Sequence, residues 1–197
     1  ELQHGSRTLP ALFITEYALA KLFMSWGIEP SALLGHSMGE YVAACLAGVF
    51  SMEDGLRMVL KRGQLFEKLE RGAMLSVPMS REELAARIGP DLDVAVVNGP
   101  MSSVASGPVE KIEALEKALL AEEIDARRIR IHVAAHSRML DPILAEFGAL
   151  TETIALSPPE KPILSNVSGT WMTAEQATDP DYWVKPLRGT VQFSDNL

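Results

Sequence analysis

The sequence predicts an α/β fold with two parts, a core that contains a parallel sheet and a smaller subdomain inserted into it. In the first part of the chain, short apolar stretches alternate with longer segments that carry apolar residues at helical spacing, which is typical of α/β units. In the middle, the predicted elements follow the order β-α-β-β-α-β of a ferredoxin-like unit. We therefore assign residues 1–71 and 134–197 to the core and residues 72–133 to the inserted subdomain.

Three helices and one strand are predicted in the first half of the core. The apolar spacing predicts a helix over residues 12–26 and a buried strand over 32–34. A helix with a small-residue face follows and ends at Gly48, because glycine readily ends a helix. Ser51 has an acidic residue three positions later, which is typical of a helix N-cap, and it predicts a further helix through residue 65.

The inserted subdomain and the return to the core follow from the same patterns. Alternating apolar residues predict strands, and a capping serine and amphipathic spacing predict helices. In the subdomain we expect strands at 73–79, 94–97, 104–106 and 128–133, with helices at 80–88 and 109–123. In the second half of the core we expect a helix at 139–154 and a strand at 163–167, with no clear element at the end of the chain.

Charge and composition narrow the range of partners. The formal net charge of -8 argues against a nucleic acid or an anionic membrane surface as a partner. No apolar run approaches the roughly 20 residues that a bilayer span requires. Cys45 is the single cysteine, so an internal disulfide and a cysteine-based metal site are excluded. We expect a cytoplasmic protein with no metal, no nucleic-acid partner and no membrane partner.

Residues 35–39 read Gly-His-Ser-Met-Gly and lie between a predicted strand and a predicted helix. This is the pattern of a nucleophile elbow, in which a serine sits on a sharp strand-to-helix turn. The helix that follows points its N-terminal N–H groups toward a negatively charged oxygen, and the N–H of Met38 is the natural donor. The motif favours a hydrolase-like α/β core with Ser37 as the nucleophile. The five residues alone also fit an ordinary glycine-bounded turn.

A nucleophilic serine needs a base, and the chain has four histidines. His4 lies in a polar N-terminal stretch, His36 adjoins the serine, and His132 alternates with polar residues on a predicted strand. His136 follows a predicted strand end, where a loop can present it to a cleft. A neutral imidazole there could accept the Ser37 proton and return it to the leaving group. The residues alone leave the choice of base open.

Several blocks of the sequence resemble a known family. Residues 35–44, Gly-His-Ser-Met-Gly-Glu-Tyr-Val-Ala-Ala, are similar to the active-site block of the malonyl-CoA:acyl carrier protein transacylase family, and most of all to the acyltransferase domains of modular polyketide synthases. The resemblance covers nearly the whole chain and implies the ferredoxin-like insertion as well. Further matching blocks follow in order: Lys61-Arg62-Gly63, Val97-Asn98-Gly99-Pro100, Ala135-His136-Ser137 and Ser165-Asn166-Val167-Ser168-Gly169.

The resemblance implies roles for three residues. Ser37 corresponds to the nucleophile that becomes acylated, His136 to the general base, and Arg62 to the arginine that grips the free carboxylate of a malonyl-type substrate. Arginine suits that task because its planar guanidinium binds a carboxylate through two hydrogen bonds and keeps its proton. From the local sequence alone, Arg62 would be a solvated residue on a helix.

Further residues of this resemblance surround the substrate. Met38 occupies the variable position of the elbow, Ala135 precedes the base, and His36 adjoins the nucleophile. A backbone carbonyl near Pro186 would orient His136. Ala135 leaves more room beside the substrate's α-carbon than the phenylalanine of malonyl-selective domains, while Met38 differs from the glutamine common in methylmalonyl-type domains. The choice of extender unit therefore stays open.

The resemblance also implies the reaction partners. No cofactor is bound: acyl-CoA, as malonyl-CoA or methylmalonyl-CoA, is the substrate, and the phosphopantetheine arm of an acyl carrier protein is the acceptor. Neighbouring synthase domains, such as a ketosynthase, complete the expected set of partners in polyketide biosynthesis. A cluster of Arg127, Arg128 and Arg130 is a candidate docking patch for the carrier protein, with a solvated face as the alternative.

Two departures from the family pattern keep other readings open. The family opens with a strand that carries Gly-Gln-Gly, which this sequence lacks, and its closing segment is absent too. We expect the chain to be a fragment of a larger domain, truncated at both ends, within a multidomain synthase. The alternatives are a Gly-x-Ser-x-Gly serine hydrolase or thioesterase, and an inactive structural fragment.

Overall fold

A computed structural model describes residues 4–197 as an α/β fold with one parallel and one antiparallel sheet, which confirms the predicted fold class. The helices are α1 Gly5–Ser25, α2 Gly39–Leu46, α3 Met52–Phe66, α4 Arg81–Arg87, α5 Val109–Ala121, α6 Asp141–Thr151, α7 Ala174–Thr178 and α8 Lys185–Arg188. The strands are β1 Leu33–Leu34, β2 Gly72–Val77, β3 Asp93–Gly99, β4 Ser102–Pro108, β5 Arg127–Arg128 and β6 Ile163–Leu164. Short 3₁₀ turns cover Arg138–Leu140 and Ser194–Asn196.

The larger core surrounds the parallel pair β1 and β6. Leu33 pairs with Ile163 and Leu34 with Leu164. Helices α1, α2, α3 and α6 pack around this pair, since their apolar faces need cover from water. The largest fully buried side chain is that of Trp183, which makes edge-to-face contacts with the rings of Phe50 and Tyr182. The elbow residues 35–39 lie at the end of β1, directly against this core.

The antiparallel sheet has the strand order β3-β4-β2-β5 and follows the predicted β-α-β-β-α-β sequence of elements. One face packs against α4 and α5 through Leu84, Ile112 and Leu119. The other face carries Met74 and contacts Ala135, next to the predicted base. Our subdomain boundaries at residues 72 and 133 stay a prediction, because the end of the chain also joins this sheet.

That end of the chain adds to the free edge of β3. The Val97 N–H donates to the Val191 carbonyl at 2.9 Å, and the Val191 N–H donates to the Ala95 carbonyl at 2.9 Å. One residue further, the Gln192 N–H donates to the carbonyl of Asn166, which belongs to the core, at 2.8 Å. Residues 190–193, which we call the tail, therefore link the small sheet to the core.

Strand β5 is shorter than predicted. We expected residues 128–133 to form a strand, but pairing with β2 covers only Arg127 and Arg128. The Ile131 N–H donates to the Ile129 carbonyl at 2.8 Å, and this local bond bends the chain away from the ladder. The segment stays beside β2, since the Gly72 N–H still donates to the His132 carbonyl at 3.0 Å.

Other element ends also differ from the predictions. Helix α1 begins at Gly5 rather than at residue 12, and Pro10 lies inside it. The predicted helix at 139–154 is divided into a 3₁₀ turn and α6, and the predicted strand at 163–167 stops at Leu164. It stops because the Ser165 hydroxyl accepts hydrogen bonds from the N–H groups of Val167 and Ser168, which favours a turn.

Cys45 lies in the core, and burial raises the pKa of its thiol to about 11. Within residues 4–197, the structure has no group of three or more His, Cys, Asp or Glu side chains that could hold a metal ion. The same part of the chain contains no helix with the length and apolar character needed to cross a membrane.

Candidate active site

The elbow around Ser37 is a tight turn between β1 and α2. Ser37 has a φ of 52°, a conformation that residues other than glycine rarely adopt and that is common at functional sites. A Cβ on Gly35 would lie 2.1 Å from the backbone of Gly39, so this position requires glycine. Gly39 is less restricted, since its own Cβ would meet only the Glu16 carboxylate at 3.7 Å. The close approach of strand and helix therefore depends on the first glycine of the motif.

Three of the predicted site residues meet at the Ser37 hydroxyl. Ser37 Oγ lies 2.8 Å from Nε2 of His136, within hydrogen-bond distance. Nη2 of Arg62 donates a hydrogen bond to the same Oγ at 3.0 Å. These side chains come from three separate parts of the sequence, the elbow, α3 and the loop after β5.

His136 is held as a neutral imidazole. Its side chain is buried with the residue only 3% exposed, and its φ is 57°. Burial lowers the pKa of His136 to about 3, and the Arg62 charge adds to this effect, while the backbone of Pro186 and of Gly189 acts in the opposite direction. Nδ1 has no partner at ordinary hydrogen-bond geometry among residues 4–197. At neutral pH the ring can therefore accept a proton.

Arg62 is a buried cation without a matching anion. It is 3% exposed, and its guanidinium carbon lies 5.9 Å from the ring centre of Tyr41 and 5.2 Å from that of Phe66. No carboxylate in the described residues lies within ion-pair distance of it, and its Nε has no hydrogen-bond partner there. Desolvation lowers the pKa of Arg62, although arginine stays protonated in proteins. The expectation of a solvated helix residue is therefore wrong for this side chain.

Asn166 is a site residue that the sequence did not identify. Its Oδ1 accepts a hydrogen bond from the Ser37 N–H at 2.8 Å, and its Nδ2 donates to the Gly35 carbonyl at 2.6 Å. One amide side chain thus holds the backbone on both sides of His36. In the sequence, Asn166 stands out only as part of the matching block Ser165-Asn166-Val167.

The buried carboxyl group of Glu40 holds the backbone of Asn166 in place. Glu40 Oε1 accepts hydrogen bonds from the Asn166 N–H at 3.1 Å and from the Tyr182 hydroxyl at 2.7 Å. The Tyr182 oxygen also lies 2.7 Å from Ser165 Oγ. Burial raises the pKa of Glu40 to about 7, although these hydrogen bonds and the Arg62 charge lower it. Because this network is fully enclosed, a change in one member disturbs the others.

Ser37, Arg62 and His136 line a cavity with a volume of about 1430 Å³, and the predicted residues His36, Met38 and Ala135 line it too, whereas Pro186 does not. Met38 and Ala135 are almost fully buried in its wall. No hydrogen bond from the Met38 N–H is found within residues 4–197, so this group is free to meet a substrate oxygen. His36 is more exposed, with its Nε2 2.9 Å from Asn98 Oδ1 and its ring against Phe193.

The other two histidines lie away from the serine. His4 is mostly exposed, 4.0 Å from the Glu67 carboxylate. His132 Nδ1 accepts a hydrogen bond from Nη2 of Arg71 at 3.0 Å, in the outer wall of the cavity. Of the four histidines, the structure therefore brings only His136 within hydrogen-bond distance of Ser37.

The candidate docking patch is largely neutralised. Arg127 pairs with Asp125 at 2.7 Å, and Arg128 pairs with Glu116 at 2.9 Å and with Glu113 at 3.4 Å. These pairs cancel most of the positive charge that the sequence concentrates there, which weakens its assignment as a carrier-protein surface.

The chemistry open to this site is covalent transfer of an acyl group. A serine hydroxyl lies beside a neutral imidazole, which is the arrangement that activates a nucleophile. A free N–H at the start of a helix is suited to a developing oxyanion. A buried cation at the same place is suited to a substrate with its own negative charge.

The sequence and the structure of this chain are both similar to those of known proteins. A profile described as "Acyl transferase domain" matches residues 1–197. The polyketide synthase GfsE of Streptomyces halstedii is 42% identical over 190 residues, which are 93% of this chain and 5% of that protein. The solved acyl transferase domain of ZmaA is 47% identical with a TM-score of 0.91, covering 99% of this chain and 45% of that one. The malonyl-CoA:acyl carrier protein transacylase of Helicobacter pylori is 25% identical with a TM-score of 0.88, covering 98% of this chain and 66% of that one.

The chain thus spans a small part of the GfsE synthase and less than half of the solved ZmaA chain. The profile match extends over its full length, the identity to GfsE over nearly all of it, and the structural similarity includes both sheets. The chain belongs to the acyl transferase domain family, together with the acyltransferase domains of polyketide synthases.

Proposed function

We propose that this chain loads a malonyl-type extender unit, malonyl or methylmalonyl, from coenzyme A onto Ser37 and passes it to the phosphopantetheine thiol of an acyl carrier protein. Arg62 is the observation that carries this proposal. Its guanidinium is buried 3.0 Å from the Ser37 hydroxyl, without a carboxylate partner in the described residues. A malonyl-type thioester supplies a carboxylate for that cation and a reactive carbonyl for the serine.

The first half-reaction uses the contacts at Ser37. Oγ attacks the thioester carbonyl while its proton passes to Nε2 of His136, 2.8 Å away. The negative charge that forms on the carbonyl oxygen is stabilised by the Met38 N–H at the start of α2. When the carbon–sulfur bond breaks, the proton on His136 goes to the sulfur, and coenzyme A leaves as the thiol.

The second half-reaction runs the same steps in reverse with a new thiol. The phosphopantetheine thiol gives its proton to His136 and attacks the carbonyl carbon of the acyl-serine. The bond from that carbon to Ser37 Oγ then breaks, and the proton on His136 passes to Oγ, which restores Ser37. The pKa of about 3 keeps His136 neutral before each attack. Because Nε2 accepts from Ser37 Oγ, the proton of the neutral ring then resides on Nδ1. The backbone of Pro186 raises the pKa of His136 against the effect of burial, which supports the role in orientation that we expect for the carbonyl of Pro186.

The residues around the acyl group bear on extender choice. Ala135 and Met38 line the cavity beside Ser37, and the small side chain of Ala135 leaves space next to the substrate's α-carbon. His36 lies on the open side, fixed by Asn98. One methyl group changes binding by only about 1–3 kcal/mol, so we leave malonyl and methylmalonyl as the two candidates.

The partners of this reaction are an acyl carrier protein and neighbouring synthase domains such as a ketosynthase, within polyketide biosynthesis, and we expect it to take place in the cytoplasm. A triad hydrolase would hold His136 through a carboxylate. In residues 4–197, Nδ1 of His136 has no such partner, which favours transfer over the hydrolase alternative.

Intact-protein mass after mixing with malonyl-, methylmalonyl- and acetyl-CoA in competition tests the proposal. We expect a malonyl-type adduct on the unaltered protein and none on Ser37→Ala. Arg62→Gln should lower malonyl loading relative to acetyl loading by at least about 30-fold, because losing one partner of a buried charge pair costs about 2 kcal/mol or more. A preference for acetyl groups in the unaltered protein would contradict the role of Arg62. Free acid without an adduct would favour a hydrolase, and no reaction at all would favour an inactive structural fragment.

A further inference from the structure

The cavity that contains Ser37 is much larger than a three-carbon acyl group requires, and its charges are unevenly placed. Its volume is about 1430 Å³. Its two carboxylates, Glu16 and Glu67, lie on the side formed by α1 and the end of α3. A second side is formed by Arg71 and residues 128–133, and Arg71 and Arg130 are exposed there. We call this second side the arginine wall.

Two arginines of the arginine wall have no counter-charge in the part of the chain that the structure describes. Arg71 and Arg130 are exposed, and neither has a carboxylate within ion-pair distance among residues 4–197. Their neighbours behave differently, since Arg127 pairs with Asp125 and Arg128 with two glutamates. In a chain of net charge -8, positive charge that is left unpaired beside the active site indicates an anionic ligand.

Arg71 is held in place by two hydrogen bonds that join its segment to His132. Its Nη2 donates to Nδ1 of His132 at 3.0 Å, and the neighbouring Gly72 N–H donates to the His132 carbonyl at 3.0 Å. These two bonds fix Arg71 beside the segment that carries Arg130. The other N–H groups of the Arg71 guanidinium are left for a ligand, and a guanidinium matches the geometry of a phosphate group.

We propose that Arg71 and Arg130 form a phosphate-binding subsite in the exposed part of the cavity lining, with His132 as the residue that positions Arg71. The proposal rests on the acyl-transfer function proposed above, in which both thiols carry phosphate. Coenzyme A carries a diphosphate and a 3′-phosphate, and the carrier-protein arm carries a single phosphodiester. The subsite holds the distant end of either thioester while Arg62 holds the acyl carboxylate, so that the reacting carbonyl lies at Ser37.

Calorimetric binding to the whole chain tests this subsite with three probes: coenzyme A, 4′-phosphopantetheine and pantetheine. We expect the double variant Arg71→Gln/Arg130→Gln to bind coenzyme A about tenfold more weakly, which is about 1.4 kcal/mol, with pantetheine unchanged, since contacts between exposed charges contribute only modestly to binding. The difference between the proteins should shrink from about 50 mM to about 200 mM salt because ions screen exposed charges. Arg127→Gln is the matched control, since this exposed arginine has a carboxylate partner and lies outside the cavity lining.

The three probes separate the two sources of phosphate. A loss with coenzyme A alone assigns the subsite to the diphosphate or 3′-phosphate of the donor, and an equal loss with 4′-phosphopantetheine assigns it to the phosphate shared with the carrier protein. Coenzyme A that binds the unaltered chain no more tightly than pantetheine overturns the proposal, as does an equal loss in Arg127→Gln. Acylation of Ser37 by malonyl-pantetheine, followed by mass, reports on the proposed function separately, since that donor has no phosphate.

Discussion

Replacing Asn166 with alanine should both destabilise the protein and slow its acylation. The side chain makes two hydrogen bonds, from the Ser37 N–H at 2.8 Å and to the Gly35 carbonyl at 2.6 Å. Each of the two backbone groups left without a partner in this enclosed place costs about 1–3 kcal/mol. We therefore expect the free energy of unfolding to fall by about 2–6 kcal/mol. Ser37 would also lose the contact that holds its φ of 52°, and a shift of about 1 Å in the nucleophile can cost about 100-fold in rate.

Urea unfolding and single-turnover acylation measured by mass give the two quantities. Asn98→Ala is the control, since its one side-chain bond to the exposed His36 should contribute only about 1 kcal/mol. Asn166→Asp adds a test by pH, because its carboxylate would face the Gly35 carbonyl oxygen and could donate a hydrogen bond only when protonated. Its stability relative to the unaltered protein should therefore improve as the pH falls. This reasoning would be refuted if the free energy of unfolding of Asn166→Ala were within about 0.5 kcal/mol of that of the unaltered protein and both proteins were acylated at the same rate.

Four further predictions concern pH, packing and a hydrogen-bonded carboxylate. His136 has its pKa lowered to about 3, so the acidic limb of kcat/KM should lie well below pH 6.5; a limb near pH 6.5 would contradict a buried neutral ring. Between pH 6.5 and 3, His136 takes up a proton in the unfolded chain but not in the folded protein, so the free energy of unfolding should decrease by a few kcal/mol as the pH is lowered. Glu40, with its pKa raised to about 7, should have the opposite effect and lower stability as the pH rises from 4.5 to 7. Unfolding of His136→Gln and Glu40→Gln across this range separates the two effects. Gly35→Ala should cost about 3 kcal/mol or more because its Cβ meets backbone at 2.1 Å, whereas Gly39→Ala should stay within about 1 kcal/mol, and equal losses in thermal unfolding would show that the elbow is looser than the contacts indicate. Asp93→Asn should lose about 1–3 kcal/mol in urea unfolding, since its largely buried carboxylate accepts three hydrogen bonds from one arginine, and an unchanged midpoint would show that these bonds add nothing.

Local chemistry made much of the fold predictable from the sequence. The capping residues Ser51 and Ser80 begin helices where expected, and Ser80 forms a reciprocal capping box with Glu83. Such signals depend on hydrogen bonds between residues three positions apart, so they can be read without knowledge of the rest of the chain. The elbow is equally local, and the need for glycine at position 35 follows from a contact only four residues away.

What the sequence could not predict depends on contacts between distant segments. Asn166 lies 129 positions from Ser37, and no local pattern relates them. The guanidinium of Arg62 likewise packs against the ring of Tyr41, which belongs to another helix. The predicted length of β5 was wrong for a different reason. Alternating apolar residues predict an extended chain, but they do not predict the local hydrogen bond between Ile129 and Ile131 that ends the pairing. The roles of Ser37 and His136 stay proposals until the acyl-serine is observed.

The tail has a consequence for engineering by domain exchange. Residues 72–133 look like a self-contained unit to transplant between related synthases. However, both the N–H and the carbonyl of Val191 form hydrogen bonds to β3. The N–H of Gln192 donates to the carbonyl of Asn166, the residue whose side chain holds Ser37. A graft that moves residues 72–133 alone would place a foreign sheet edge against a resident tail, and any misfit would pass through Asn166 to the elbow. The transferable unit is therefore discontinuous in sequence, and a chimaera that includes residues 190–193 with the small sheet should retain its nucleophile geometry where the simpler exchange loses it.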